Sequence, residues 1–381
     1  MASFTQAGRL LAVTTPLGKD ALLLVGFSGE ESISHLFNFH LDLIAENSTN
    51  VDFDKLLGKR VTVKLALDSR RERYFNGICN RLIKGHRDNT FTSYRLEMVP
   101  ELWLLTRKAQ SRIFQHLSVP DILKQVFAGL DFTFQLQGTF HPRDFCVQYR
   151  ETDFNFVSRL MEEEGIFYFF EHTADRHKLV VANTPQSHPA MPLMESAIFE
   201  ELHGGVRDEL RVREWEKIQE LRSGKYTLWD HSFELPHKHL EADEQITPEV
   251  SAGKVAHKLI PGVKGALEIY DYPGGYAQRF DGVAKAGGDR SADLQKIFED
   301  NKRTTKIRMQ QEALLSLVIR GAGDCRNFVS GHKFRLERHF DANGEYLLVS
   351  LNHSSRLSAN YRSGDGEFFY QNTFSCIPYA V

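Results

Sequence analysis

Apolar and polar side chains alternate along the N-terminal quarter of the chain. In Phe37-Asn38-Phe39-His40-Leu41-Asp42-Leu43 every second position is apolar, and Val61-Thr62-Val63-Lys64-Leu65-Ala66-Leu67 follows the same rhythm. A period of two puts one side of a strand in a core and the other in water, as antiparallel sheets do. Pro16-Leu17-Gly18, Gly29, Gly58, Gly85 and Asp88-Asn89 punctuate these runs and read as turns.

The period then changes. Ser118-Val119-Pro120-Asp121 is a helix-start signature, with Ser118 placed to cap and Asp121 in the electropositive first turn. Ile122, Leu123, Val126, Phe127 and Leu130 recur behind it at helical spacing. A second helix is expected over 153–164, burying Val157, Leu160 and Met161 and stopping at Gly165. The strand Ile166-Phe167-Tyr168-Phe169-Phe170 follows, with Lys178-Leu179-Val180-Val181-Ala182 as a pairing partner. The aromatic strand is read as the core of this small α/β insertion rather than as an exposed patch.

Residues 190–290 are mixed, with short strands such as Lys225-Tyr226-Thr227-Leu228-Trp229. A charged helix is expected from Ser291 to Glu312, and then strands at 314–320, 333–339, 345–353 and 367–378. The ends of the chain echo one another. Gly58-Lys59-Arg60-Val61-Thr62-Val63 resembles Gly331-His332-Lys333-Phe334-Arg335-Leu336, and Leu96-Glu97-Met98-Val99-Pro100 resembles Phe374-Ser375-Cys376-Ile377-Pro378. An apolar strand lies between each pair, near Ile78 and near Leu348. Shared order suggests two related barrels. The fold class expected is mainly β with an α+β insertion: two related antiparallel β-barrels, a small α/β domain and one long helix. The divisions read as 1–110 (first barrel), 111–190 (insertion), 191–290 (linking strands that contribute to the barrels) and 291–381 (helix and second barrel).

Composition narrows the function. With 381 residues, 41% hydrophobic and 25% charged, the chain reads as a soluble globular protein of more than one domain. A formal net charge of −3 supplies no general attraction to phosphate backbones or anionic membranes, so no nucleic-acid partner is expected. Cys79, Cys146, Cys325 and Cys376 are scattered, which favours reduced thiols over a disulfide framework. The N-terminus lacks the apolar core of a signal peptide, and the chain lacks a run of about 18 apolar residues that would span a bilayer. No stable membrane insertion is expected, and export would need a machine.

The segment CVQYRETDFNFVSRLMEEEGIFYFFEH (146–172) closely resembles the signature of the VgrG family, the spike proteins of type VI secretion, related to the baseplate hubs of contractile-tail phages. Arg112-Ile113-Phe114-Gln115, Ile269-Tyr270-Asp271-Tyr272-Pro273-Gly274 and Asn372-Thr373-Phe374-Ser375-Cys376-Ile377-Pro378 match the same family in order and spacing. The resemblance implies a homotrimer whose two barrels per subunit make a pseudo-six-fold ring. Such a ring would cap the hexameric tube of Hcp protein, beside baseplate components and effector proteins. It implies residence in the cytoplasm before firing and export through the apparatus afterwards. Family members continue into a further barrel and a β-helical needle where this sequence reaches Val381, so the chain is expected to be the hub part alone.

Signatures of enzymatic chemistry are incomplete along the chain. A phosphate-binding GxxxxGK[ST] loop is missing, and Gly321-Ala322-Gly323 lacks the third glycine and the helix of a dinucleotide loop. Gly26-Phe27-Ser28-Gly29 is one residue short of a nucleophile elbow and reads as a strand-to-strand turn. Cys146 and Cys376 sit in apolar strand patterns that suit inert thiols. His231, His237 and His239, with Glu234 and Glu241, could ligate zinc but read as a solvated loop, since HExxH is missing and Pro236 interrupts the run. Glu162-Glu163-Glu164 reads as an exposed helix end. No catalytic, cofactor or metal residues are therefore assigned, and a non-enzymatic hub is expected. The alternatives are a secreted hydrolase using Ser28 or the histidines, and a monomeric β-rich binding module.

Overall fold

A computed structural model describes residues 4–68, 70–192, 194–201, 210–252, 254–259, 267–280, 294–357, 361 and 368–381. Strands β1 (Leu11–Thr14), β2 (Leu23–Ser32), β3 (Asn38–Glu46), β4 (Arg60–Ala66), β5 (Glu72–Arg87) and β6 (Phe91–Val99) form the first barrel. They pair antiparallel in the order β1-β4-β5-β6-β3-β2. A side chain closes the seam between β1 and β2. Buried Gln6 donates to the carbonyls of Val13 and Leu22 at 3.0 and 3.2 Å. Its own oxygen accepts from the N–H groups of Val13 and Leu24 at 2.9 and 3.2 Å. The amide thus stands in for a missing stretch of ladder, and both strands keep their buried backbone groups paired.

The insertion follows with β7 (Ala109–Leu117), α1 (Val119–Val126), β8 (Phe132–Gln135), β9 (Arg143–Thr152), α2 (Asp153–Glu163), β10 (Phe167–His172) and β11 (His177–Ala182). Both expected helices form. Ser118 caps α1 through the Asp121 N–H, Thr152 caps α2 through the Asn155 N–H, and Gly165 ends α2 at φ +65°. Strand β10 pairs antiparallel with β11 as anticipated, and Tyr168, Phe169 and Phe170 are buried, as the core reading requires.

The second barrel contains β12 (Ser196–Phe199) and β13 (Arg211–Gln219). An excursion through β14 (Lys225–Asp230), β15 (Leu240–Gln245), β16 (Glu249–Ala252), β17 (Val255–Lys258), β18 (Glu268–Asp271) and α3 (Lys296–Leu314) then departs and returns. Strands β19 (Leu317–Gly323), β20 (Lys333–Glu337), β21 (Gly344–Leu357) and β22 (Phe368–Pro378) complete it. The ladders run β12-β20-β21-β22-β19-β13, and β13 pairs back to β12, closing the ring.

Three local expectations are corrected. Helix α3 continues through Leu314, so the strand expected from 314 begins at Leu317; the apolar run Leu314-Leu315-Ser316-Leu317 carries no period that marks the boundary. The expected start at Ser291 lies outside the described residues, as does Glu367. Gly29 and Gly85 are not turns but lie inside β2 and β5. At Gly29 a Cβ would stand 2.2 Å from the Asn38 carbonyl oxygen, so glycine there serves close strand approach.

The terminal echo is a repeat in register. Strands β4-β5-β6 form the same meander as β20-β21-β22, and Arg60 pairs with Ile78 as Lys333 pairs with Leu347. Gly58 and Gly331, ahead of β4 and β20, both adopt left-handed backbone at φ +72° and +78°. The bulges match too. Strand β5 slips against β6 between Cys79 and Arg81, and β21 slips against β22 between Leu348 and Ser350. Likewise β2 slips against β3 between Leu24 and Gly26, and β13 slips against β19 between Val212 and Glu214. Bulges are placed by specific backbone geometry, so matched bulges in matched strands identify two copies of one module. The copies differ at the first strand: β1 is antiparallel to β4, whereas β12 is parallel to β20.

Candidate assembly interface

The two copies are fused by one ladder. Strand β21 takes β20 along its first residues, Gly344 to Leu347, and then takes β2 on the same edge from Ser350 to Arg356. Strand β2 contributes Gly26 to Ser32, with Ser28 opposite Ser354 and Glu30 opposite Asn352. Ser28 therefore lies in mid-strand between two ladders, not in the turn expected for Gly26-Phe27-Ser28-Gly29. No elbow can form there, because β3 and β21 hold the backbone extended on both sides.

A buried polar node sits under this ladder. Arg73 of β5 donates to Glu31 of β2 at 2.5 Å and to the carbonyl of Arg326 at 3.1 Å, and also reaches the Phe328 carbonyl. From the second copy, His353 Nε2 lies 3.0 Å from the same Glu31 oxygen, and its Nδ1 lies 2.8 Å from the Tyr370 hydroxyl. Burial opposes ionisation of Glu31, yet Arg73 and His353 outweigh it and hold its pKa far below the usual carboxylate range. Burial holds the His353 pKa below its ordinary value. A neutral ring facing a carboxylate must carry its proton on Nε2, which leaves Nδ1 to accept from Tyr370. Phe27, Phe39 and Phe75 surround the node, with the Arg73 guanidinium 4.2 Å from the Phe75 ring centre.

A second ionic cluster ties the insertion to α3. The run Glu162-Glu163-Glu164 is exposed only at Glu162, and the reading of an exposed helix end fails for Glu163 and Glu164. Arg143 of β9 donates to Glu163 at 2.6 Å and to Glu164 at 2.5 Å. Arg303 of α3 bonds Asp300 at 2.7 Å and also contacts Glu164, while Arg279 contacts Asp300 and lies 3.8 Å from Glu163. Burial raises the carboxyl pKa of Glu163 and Asp300, but the arginines prevail and lower both. These partners come from distant segments, so local pattern could not reveal them.

The remaining candidates stay apart. His231, His237 and His239 are exposed; His239 stacks near Trp229, 6.1 Å between ring centres, and lies 3.8 Å from Glu241. Glu234 is half-buried, and among the described residues no three His, Cys, Asp or Glu side chains converge as metal ligands. All four cysteines are buried free thiols, and burial raises the pKa of Cys146 and, strongly, of Cys376, opposite to what a nucleophile needs. An open cleft of about 880 Å³ beside the β20–β21 turn mixes Arg335, Glu337, Arg338, Phe340, Asp341 and Glu345, without a buried charged pair.

The surface that does stand out is apolar. On the sheet formed by β7 and β9, Ile113, Phe145, Val147 and Tyr149 are 67%, 51%, 48% and 70% exposed, and Ile113 faces Val147 across the ladder. The opposite side of the same strands buries Phe114, Cys146 and Gln148. The inner side thus mixes apolar packing with a Gln148–Arg112–Asp153 polar network, and the exposed apolar outer side suits contact with another protein.

The family model described as "Phage tail baseplate hub (GPD)" matches residues 30–359. The chain belongs to the phage tail baseplate hub family. Its relatives are VgrG-type hubs. It is 34% identical over 368 residues to the type VI secretion system spike protein VgrG1c of Pseudomonas aeruginosa, covering 95% of this chain and 46% of that protein. To VgrG1a of the same organism it is 35% identical over 369 residues, covering 95% and 52%. The chain therefore spans about half the length of these curated relatives. Among solved structures it is similar to the Escherichia coli c3393 protein, described as a type VI secretion component with structural similarity to T4 tail proteins gp27 and gp5. There the TM-score is 0.63 at 15% identity, over 96% of this chain and 76% of that one. It also resembles a chain of a PdpA–VgrG complex, with TM-score 0.53 at 12% identity over 97% and 64%. The hub-family resemblance of the 146–172 motif is borne out, and so is the mainly β architecture with two related barrels. No membrane-crossing helix occurs among the described residues.

Proposed function

We propose that the chain is the hub part of a type VI secretion spike, a homotrimer in which six equivalent barrels form a ring that caps the hexameric Hcp tube. The observation that carries this reading is the repeat in register, with its matched bulges, inside one polypeptide. A three-fold assembly meets a six-fold tube without mismatch when every chain supplies two like modules. The role is structural: rigid junctions such as the Arg73–Glu31–His353 node transmit force, and no bond is made or broken. Baseplate components would hold the ring, the needle would continue from it, and effector proteins would travel on the spike, from cytoplasm to target. The named PdpA–VgrG complex supports a partner of that kind. In this reading 1–110 and 291–381 frame the two barrels, 111–190 is the insertion, and 191–290 links them and contributes strands to the barrels.

The test is the mass of the whole protein in solution, followed by imaging after mixing with Hcp rings. A trimer seated on the rings supports the reading; a stable monomer that ignores them overturns it. Ser28→Ala and His237→Ala should leave assembly and secretion unchanged. Loss of secretion by a folded His237→Ala protein would count against a purely structural role.

A further inference from the structure

The run Ile269-Tyr270-Asp271-Tyr272-Pro273-Gly274 lies outside both barrels, and packing accounts for only half of it. Tyr276, just downstream, is buried and donates to the Leu240 carbonyl. Gly274 donates to the Trp229 carbonyl at 2.9 Å, and a Cβ there would run into the Tyr276 ring. The turn is therefore pinned against β14, and only glycine fits it. Asp230 of β14 accepts from the Ala277 N–H at 2.9 Å and fixes the far side of the turn. Asp271 turns inward, toward Tyr226. Tyr270 and Tyr272 have no such role: they are 55% and 53% exposed.

These tyrosines stand on one face of the three-stranded sheet β15-β14-β18. On the opposite face Leu228 and Leu240 are buried with Tyr276 and with Ile297 of α3. Alternation along β14 then sends Lys225, Thr227 and Trp229 outward. The register sets Glu241 opposite Trp229 and Asp243 opposite Thr227, and on the other flank Glu268 beside Lys225 and Tyr270 beside Thr227. Tyr272 follows next to Trp229, with 5.0 Å between ring centres. Among the described residues of this face, three carboxylates share one ammonium. Lys225 lies 3.0 Å from Glu268 and 3.9 Å from Asp243. The Glu241 side chain is 40% exposed and lies 3.8 Å from the His239 ring.

We propose that this aromatic, acid-flanked face docks an extended arginine- or lysine-rich segment of another protein. Ring faces attract cations, and carboxylates beside them add charge-assisted hydrogen bonds. Tyr270 and Tyr272 are two residues apart on one strand, about 6.6 Å, which is also the spacing of alternate side chains in an extended partner. Two alternate cations of such a segment therefore reach two rings at once, with Glu241 and Asp243 across the face to pair with its neighbouring cations. Tyrosine and tryptophan bring large contact area at low entropic cost, and here the pinned turn holds them in place before a partner arrives. An acidic segment is excluded by the excess of carboxylate. The contact lies outside the barrels, so its failure leaves the hub reading untouched.

The probe is a short fluorescein-labelled peptide of alternating arginine and serine, titrated with the whole protein at physiological salt and read by anisotropy. Saturable binding that weakens about tenfold in Tyr270→Ser with Tyr272→Ser, several-fold in Glu241→Gln, and not in Glu337→Gln on the second barrel supports the proposal. Tyr270→Leu with Tyr272→Leu keeps the apolar area and removes the rings, so it should lose as much affinity as the serine pair; undiminished affinity overturns the cationic mode. Absent binding, or binding that none of these substitutions weakens, overturns the proposal. So does tighter binding of the glutamate–serine counterpart or of maltohexaose. If the tyrosine substitutions instead raise the concentration for half-assembly of the protein, the face lies between copies of the chain and the proposal is overturned. Circular dichroism checks the fold, and Glu241→Gln alone decides the matter should a tyrosine variant fail to fold.

Discussion

His353 of the second barrel completes the charge pair of the first, its Nε2 lying 3.0 Å from the Glu31 oxygen that also holds Arg73. The two copies of the module therefore share one buried carboxylate, and neither can move without disturbing it. Removing Glu31 leaves the Arg73 guanidinium buried and short of its counter-ion. Breaking a buried pair from one side costs roughly 3–5 kcal/mol, whereas replacing both partners by apolar groups is close to neutral. Glu31→Ala is expected to lower the thermal midpoint sharply, and Glu31→Leu with Arg73→Met to recover most of it. Equal melting of Glu31→Ala and the unmodified protein would show that the node contributes nothing.

Acid should destabilise the fold before carboxylates titrate. Burial pushes the pKa of His177 and His332 down to about 4 from an ordinary 6.5. These rings stay neutral in the folded chain and take up protons when it unfolds. Their stabilising effect is complete above pH 6.5 and shrinks as pH falls from there toward 4, by up to about 1.4 kcal/mol per pH unit for each ring. Glu31, with its lowered pKa, adds a further loss below its ordinary 4.5. Denaturant midpoints should be flat from pH 8 to 7 and fall from pH 6 to 5. A midpoint constant down to pH 5 contradicts the burial of these histidines.

The two left-handed glycines are equivalent in backbone but not in surroundings. A Cβ on Gly58 would meet nothing within 4 Å, whereas one on Gly331 would lie 2.7 Å from the buried Phe169 ring. Gly58→Ala carries the left-handed cost alone, about 1–2 kcal/mol. Gly331→Ala adds overpacking of about 1–3 kcal/mol. Paired urea titrations should rank Gly331→Ala clearly below Gly58→Ala; the reverse order would show that the repeats are packed differently.

The apolar outer face of the β7–β9 sheet gives a separable test of assembly. Val147 and Tyr149 are largely exposed, so Val147→Glu or Tyr149→Asp should change the stability of an isolated subunit by no more than about 0.5 kcal/mol. If the face packs against a partner in the spike, the same substitutions weaken assembly at least tenfold, read by analytical ultracentrifugation against concentration. Unchanged assembly would assign the patch elsewhere.

Periodicity and caps made the local elements legible. Phe37 to Leu43 alternates because one barrel wall is buried, and Ser118 announces α1 because an N-terminal turn needs an acceptor for its free N–H groups. The boundary at Leu314 and the placement of Gly29 and Gly85 were not legible, since an unpatterned apolar run and a strand glycine acquire meaning only from the neighbouring backbone. Cys146 and Cys376 lie buried, as their apolar surroundings in the sequence imply, while Glu163 and Glu164 turn inward to arginines more than a hundred residues downstream as well as to nearby Arg143.

Read alone, the amino-acid order was enough to reveal a duplicated meander, because Gly58 with Pro100 and Gly331 with Pro378 bracket strands of similar length and polarity. Folding added what no single strand contains: the slip at Asn80 and Val349, the Gln6 seam, and the passage of β21 from β20 to β2. Local pattern depends on which face of a strand is wet, and nearby residues encode that. Which edges meet depends on hydrogen-bonding groups that every residue carries alike, and these are told apart only when the whole chain brings them together.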